Sequence, residues 1–141
     1  MAEVNLIKFL GDNILLVAAA LVSGTLLIWP ALRRGMGGTS ISSLEATLLM
    51  NQKNALVLDV RAAAEYEKGH MLNARNIPMP ELEARLTELE KHKTKPVLVV
   101  CDGGNHSARA AAALRRRGFE QVAVLGGGIA AWAQAGLPLE K

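Results

Sequence analysis

Cysteine is nearly missing from these 141 residues: Cys101 is the only one. Within this chain, no internal disulfide framework and no thioredoxin-like dithiol cycle can be built, because there is no second thiol to close or resolve a bridge. Aromatic residues make up only 4% of the sequence, too few for a base-stacking surface, and part of the net charge of +3 comes from one adjacent pair, Arg33 and Arg34. No nucleic-acid partner is expected. The three histidines, His70, His92 and His106, show no metal-ligand spacing with Cys101, so no metal is expected. Gly126-Gly127-Gly128 follows an apolar run but lacks the Gly-x-Gly-x-x-Gly pattern, and no cofactor is expected either. There is no internal repeat.

Charge is also missing from Asn13 to Leu32, a run that includes Ile14 to Val22 and Leu26 to Trp29. About twenty such residues suffice to span a bilayer as a helix. Trp29 is placed as an interfacial anchor, and Pro30 falls near the expected helix end. Lys8 is offset by Glu3 and Asp12, whereas Arg33 and Arg34 follow the run directly, which by the positive-inside rule keeps the C-terminal side in the cytoplasm. A cleaved signal peptide is the competing interpretation; the charge distribution favours an uncleaved anchor. The expected organisation is an N-terminal flank (1–12), a transmembrane helix (13–32), a glycine-rich linker (33–38) and a folded domain (39–141). Its expected location is the inner (cytoplasmic) membrane of a bacterium, crossed once, with the domain in the cytoplasm.

Within the domain, apolar runs alternate with helical ones. Ser42 and Glu45 form the pattern of a capping box opening a helix through Met50, and Ala55 to Val60 has the character of a buried strand. Ala74 to Ile77 predicts a short strand, Glu81 to Lys91 a charged amphipathic helix, Val97 to Val100 the central strand, and Gln121 to Leu125 the last strand. The mixed charges of Glu81 to Lys95 suit a solvated face. Such alternation predicts an α/β layered domain with a mainly parallel sheet, and about a hundred residues suffice for one core.

Cys101 opens the run Cys101-Asp102-Gly103-Gly104-Asn105-His106-Ser107 at the end of the central strand. Ala108, Ala110 to Ala113 and Leu114 then predict a helix, with Arg115 to Arg117 at its C-terminus and Gly118 as its terminator. A loop entering a helix N-terminus aims backbone N–H groups at one spot and favours anions and thiolates there. The plainer interpretation is that a lone cysteine after an apolar strand is a small buried hydrophobe. Spacing alone leaves both open.

A second segment, Leu58-Asp59-Val60-Arg61 through Glu65, Gly69-His70, Asn76 and Pro78, stands upstream. Together with Cys101 to Ser107 and the later Gly118-Phe119, Gly127-Gly128-Ile129 and Trp132, it resembles a rhodanese domain over about residues 39 to 138. The resemblance implies a three-layer rhodanese-like domain. It also implies that Cys101 is the sulfur-accepting nucleophile, cycling between thiolate and persulfide, and that the amides of Asp102, Gly103, Gly104, Asn105 and His106 surround its sulfur. Asp59, Arg61, Glu65 and His70 become scaffold near the site, pairing with one another and with the loop. Ser107 is expected to cap the helix.

The loop departs from the family's commonest active pattern, in which an arginine stands where this chain has His106. Histidine is not permanently charged and lacks the bidentate fork of arginine, while Asp102 opposes thiolate formation and repels anionic donors. Thiosulfate is therefore a doubtful donor, and a neutral or protein-bound persulfide suits the loop better. Related phosphatases and arsenate reductases need an arginine six places after the cysteine; Ser107 stands there, and Arg109, two residues on, is assigned to solvent. The expected activity is a membrane-anchored sulfurtransferase served by a sulfur donor and a thiol acceptor. The alternative is a catalytically weak or inactive module that recruits a membrane-protein partner.

Overall fold

The computed structural model describes residues 5–37 and 39–141, and the side chains of all of these except 31–37. The chain divides into two units, Met1–Gly35 and Met36–Lys141.

In the first unit, helix α1 (Leu6–Asp12) is followed by α2 (Ile14–Gly37). Asn5 caps α1 by accepting from the Lys8 N–H, and the break falls at Asn13, whose side-chain amide donates to the Phe9 carbonyl at 2.9 Å. A short polar side chain competing for helix carbonyls ends the first segment. Among the described residues no single helix is long and apolar enough to cross a membrane; Leu6–Asp12 and Ile14–Pro30 reach that length and composition together, but are bent by 87°. A single transmembrane helix was expected over 13–32; the helix described there begins after the break at Ile14, does not by itself meet the length and composition of a span, and its backbone runs on through Pro30 to Gly37, where a glycine-rich joint was expected. Residues 1–4 of the flank, Gly38 of the linker, and the side chains of Arg33 and Arg34 lie outside the described residues.

The second unit begins with β1 (Thr39–Ile41), α3 (Ser43–Lys53), β2 (Leu56–Asp59), α4 (Ala63–Lys68), β3 (His70–Met71) and β4 (Arg75–Asn76). Next come a 3₁₀ turn (Met79–Glu81), α5 (Leu82–Arg85) and a second 3₁₀ segment (Leu86–His92). The unit closes with β5 (Val97–Val100), α6 (Asn105–Arg116), β6 (Val122–Leu125), α7 (Gly128–Gln134) and β7 (Leu139–Glu140). Five strands make a wholly parallel sheet in the order β1-β6-β5-β2-β4, with β5 in the middle as expected. A separate antiparallel pair, β3 with β7, was not anticipated; two-residue strands carry no readable alternation.

The capping box at the start of α3 is present, with Ser42 Oγ accepting from the Glu45 N–H and Glu45 accepting from the Ser42 N–H. The expected helix over Glu81 to Lys91 is instead one turn of α-helix between two 3₁₀ stretches. Pro78 and Pro80 impose an abrupt entry, and the 3₁₀ period stacks Leu86 above Leu89, both fully buried.

Alternation along each strand divides the core between two faces. Val97, Val99 and Cys101 pack on one side with Leu58, Val60, Ala110 and Leu114, while Leu98 and Val100 pack on the other with Val57, Leu125 and Trp132. Both faces of the sheet are covered, as parallel strands require. The period of two therefore places Cys101 on the α6 face before any loop geometry is considered.

Candidate active site

The site lies at the C-terminal ends of β2 and β5, where crossovers in an open parallel sheet leave a crevice. Asp59 is in register with Val100 and with Asn76. The chain beyond Asp59 consequently runs beside the chain beyond Val100, bringing Arg61 close to Asp102.

Asp59 and Arg61 are buried and joined by a fork. Arg61 Nη2 donates to Asp59 Oδ2 at 2.7 Å, Arg61 Nε donates to the same carboxylate at 3.0 Å, and the Arg61 backbone N–H donates to Oδ1 at 3.0 Å. The guanidinium also donates to the Gly69 carbonyl at 2.8 Å, and Asn76 Nδ2 donates to the carbonyls of Asp59 and Arg61. Burial opposes the charge on Arg61, but hydrogen bonding to Asp59 and the charges of Asp59, Asp102 and Glu65 outweigh it, so the guanidinium is held charged. Its Nη1 lies 3.9 Å from Asp102 Oδ1. The carboxylate beside the cysteine is thus partly offset by a fixed cation, a feature that sequence distance conceals.

Cys101 is 2% exposed. Its Sγ accepts a hydrogen bond from the Gly104 N–H at 2.9 Å. Gly104 is the N-cap of α6 with φ +95, a left-handed conformation open to glycine at little cost, and it turns its amide back toward the sulfur. The loop is shorter than expected: Asp102, Gly103 and Gly104 form it, whereas Asn105, His106 and Ser107 already belong to the first turn of α6. Asn105 and His106 are exposed. Ser107 does not cap the helix, because Gly104 occupies that position; its Oγ is fully buried with no hydrogen-bond partner among the described residues.

A second backbone clamp holds the loop from behind. The Ile129 N–H donates to the Cys101 carbonyl at 2.8 Å, and the Ala130 N–H reaches the Asp102 carbonyl at 3.5 Å. Gly128 makes this approach possible: a Cβ there would overlap the carbonyl oxygens of Cys101 and Asp102. The far end of α6 closes on Gly118 as expected, with the Phe119 N–H donating to the Leu114 carbonyl and the Gly118 N–H to that of Arg115.

Beside the loop opens a groove of about 740 Å³. Asp102, His106, Arg109, Ala113 and Arg116 line one side, with Arg61, Glu65, Pro78, Met79 and Glu83 among those opposite. His106, Arg109, Ala113 and Arg116 follow the i, i+3, i+7, i+10 spacing of one helix face. That spacing was legible in the sequence, yet Arg109 and Arg116 were assigned to solvent and to helix termination.

The remaining scaffold residues divide. Glu65 faces the groove but is paired with Lys68 at 2.6 Å, and the hydrogen bond from that lysine holds its carboxyl below the usual range. His70 is not among the groove's lining residues. It stacks on Tyr66 at 3.7 Å, bonds through Nδ1 with the Tyr66 carbonyl at 2.9 Å, and has Nε2 3.5 Å from Glu140. It secures the β3–β7 pair. Among the described residues no cluster of metal-ligating side chains occurs.

Comparison with known proteins agrees with this geometry. The Rhodanese-like domain model matches residues 42–135. The uncharacterized protein YibN of Escherichia coli strain K12 is 45% identical over 98 residues, covering 69% of this chain and 68% of that protein. A sulfurtransferase of Allochromatium vinosum is 35% identical over 91 residues, covering 64% of this chain and 83% of its own length. Among solved structures, a rhodanese-related protein from Thermoplasma volcanium superposes with a TM-score of 0.64 at 36% identity, over 72% of this chain and 97% of that one. The family model covers about two thirds of the chain, and the chain belongs to the rhodanese-like family.

Proposed function

We propose that the domain moves sulfane sulfur through a persulfide on Cys101. The observation that carries this reading is the 2.9 Å hydrogen bond from the Gly104 N–H to Cys101 Sγ at the N-terminus of a twelve-residue helix. An amide donor and a helix terminus both favour negative charge on sulfur. The Cys101 thiolate attacks the outer sulfur of a donor persulfide, R–S–SH; the donor's S–S bond breaks, R–S⁻ leaves, and the outer sulfur with its proton remains on Cys101 as Cys101–S–SH. An acceptor thiolate then takes the same sulfur, forming its own persulfide and restoring the Cys101 thiolate. No net oxidation occurs.

Thiosulfate is a poor donor in this scheme. His106 stands where a permanent bidentate cation would meet the sulfonate, and Arg61 offsets Asp102 without facing the donor freely, since Asp59 already occupies its fork. Intact mass after incubation with a persulfide donor tests the proposal: the wild type gains one sulfur, and Cys101→Ala gains none. His106→Arg should raise thiosulfate turnover above that of the wild type.

A second reading, a recruiting module without turnover, is favoured by the burial of Cys101. Failure of every donor to add sulfur would establish it against the first.

The apolar run of α2, followed by Arg33 and Arg34, supports attachment to the inner membrane of a bacterium with the domain in the cytoplasm. A reporter active only in the cytoplasm, fused after Lys141, should be active. Activity of an exclusively external reporter there overturns the orientation.

A further inference from the structure

We propose that the end of the domain opposite Cys101 docks on the headgroups of an anionic bilayer, holding the thiol away from the lipid. The partner follows from the attachment reading above, on which this inference rests. In a wholly parallel sheet every strand starts at the same end, and here Leu56, Val97 and Val122 stand in register, with Thr39 paired to Ala123 one residue on. The chain therefore enters the domain at the end from which β5 runs toward Cys101, a distance of about 13 Å from Val97 at the rise of a strand. The turns that close this end pack together. The Leu56 N–H donates to the Pro96 carbonyl at 2.9 Å, and the Val97 N–H to that of Gln121 at 2.8 Å. Lys95 and His92 share a surface hollow with Asn54, while Pro96, Arg115 and Glu120 share another with Thr39.

The charge gathered there is largely of one sign. These turns and helix ends carry Lys53, Lys91, Lys93, Lys95 and Arg115 to Arg117 against Glu90, Glu120 and the Glu83 that lies 3.6 Å from Arg116. Residues 39–141 hold thirteen Lys and Arg against eleven Asp and Glu; seven against three at this end leave six against eight for the remainder, so the end is positive and the rest of the domain negative. Lys93 is partly matched by Glu90 at 3.7 Å, but Lys53, Lys91, Lys95 and Arg117 are exposed with no ion-pair partner among the described residues. His92 registers the resulting field: burial, then Lys91, Lys95 and Arg75, hold it below its ordinary value. Only Arg33 to Gly38 separate the uncharged run from Thr39, a stretch that reaches at most about 20 Å when fully extended. So short a tether keeps the basic end at high effective concentration against anionic headgroups, where each Lys or Arg adds to the attraction. Phe119 is buried, so these turns offer bases no exposed Phe, Tyr or Trp to stack on, and lipid is favoured over nucleic acid as the polyanion.

The test places the full-length protein in nanodiscs of phosphatidylcholine, alone or with about one third phosphatidylglycerol, and reads brief lysine acetylation by peptide mass. Lys53, Lys91 and Lys95 should label about threefold or more slowly in the anionic discs, while Lys68 and Lys141, which flank the β3–β7 pair toward the Cys101 end, label alike in both. Salt at about 1 M should remove the difference. The triple variant Lys91→Glu, Lys95→Glu, Arg117→Glu should remove it at Lys53 while leaving Lys68 and Lys141 labelling as in the wild type, the sign that the domain is still folded. Equal labelling of the three lysines in both discs, or protection of Lys53 that survives the variant, overturns the docking and leaves the attachment standing. Protein that enters neither disc overturns the attachment and this inference with it. Stronger protection of the same lysines by RNA added to phosphatidylcholine discs than by phosphatidylglycerol assigns the end to nucleic acid and likewise overturns it.

Discussion

Replacing Gly128 by alanine attacks the Cys101 loop from the side away from solvent. The new Cβ would overlap the carbonyl oxygens of Cys101 and Asp102 and lie 2.6 Å from the Asp102 carbonyl carbon, all of them backbone atoms that no rotamer change can move aside. Gly128 has φ +60, so alanine there also costs about 1–2 kcal/mol in conformational strain. Overpacking against backbone adds about 1–3 kcal/mol. Loss of the 2.8 Å bond from the Ile129 N–H leaves the Cys101 carbonyl unsatisfied for a further cost of about 1–3 kcal/mol. The sum is roughly 3–8 kcal/mol, a large part of the stability of an ordinary domain. Urea unfolding of the full-length protein measures it, with two controls. Gly136→Ala shares the positive φ, +70, but meets nothing within 4 Å, and should cost only about 1–2 kcal/mol. Gly103→Ala has neither feature and should stay within about 0.5 kcal/mol. Equal losses for Gly128→Ala and Gly136→Ala would refute the argument, since strain alone would then account for both.

Arg61→Leu should destabilise by about 3–5 kcal/mol, because it strands the buried Asp59 carboxylate; a loss under 1 kcal/mol in urea unfolding would show that Asp59 finds another partner. Ser107→Ala should leave stability unchanged or raise it by about 1 kcal/mol, since it removes a buried hydroxyl that has no partner among the described residues and adds a better helix former. A marked loss would mean that the hydroxyl is bonded in the working protein. His92 is held below its ordinary value by burial, then by Lys91, Lys95 and Arg75, so it binds its proton more readily unfolded than folded. Its contribution is complete above about pH 6.5 and is lost as pH falls below that toward the folded value. The difference in stability between wild type and His92→Gln should therefore vary with pH below 6.5 and be flat above it; a flat difference throughout removes His92 as the cause.

Much of the domain was legible because its signals are local. Val97 to Val100 are four apolar residues in a row, as a strand buried on both faces requires, and Ser42 with Glu45 carries its own hydrogen-bond logic. Where local signals are short or compete, the reading failed. Thr39 to Ile41 is a three-residue edge strand paired to β6, too short to show an alternation, and Glu81 to Lys91 has helical charge spacing that is overridden by the fit of Leu86 and Leu89 into the core. The break at Asn13 falls on the first residue of the uncharged run, where one amide side chain barely alters the hydropathy.

The site shows the same division more sharply, because its electrostatics depend on strand register. The sequence places Asp102 next to Cys101 and forty-one residues from Arg61, which makes the carboxylate look like an uncompensated charge on the nucleophile. Pairing Asp59 with Val100 removes that separation and brings the two side chains to 3.9 Å. Asp102 is largely exposed, so at that distance the attraction is worth about 1 kcal/mol, and it acts against the repulsion that Asp102 exerts on a thiolate. Asp102→Ala should consequently change the alkylation rate of Cys101 less than Asp102→Ala combined with Arg61→Met differs from Arg61→Met alone, because only without Arg61 does the carboxylate act unopposed. Alkylation by a small neutral reagent, measured in all four proteins at conditions where each is folded, checks the coupling. Equal effects of removing Asp102 in both backgrounds would show that Arg61 does not screen it. In that case the loop's charge would be set by Asp102, Gly104 and the helix terminus alone.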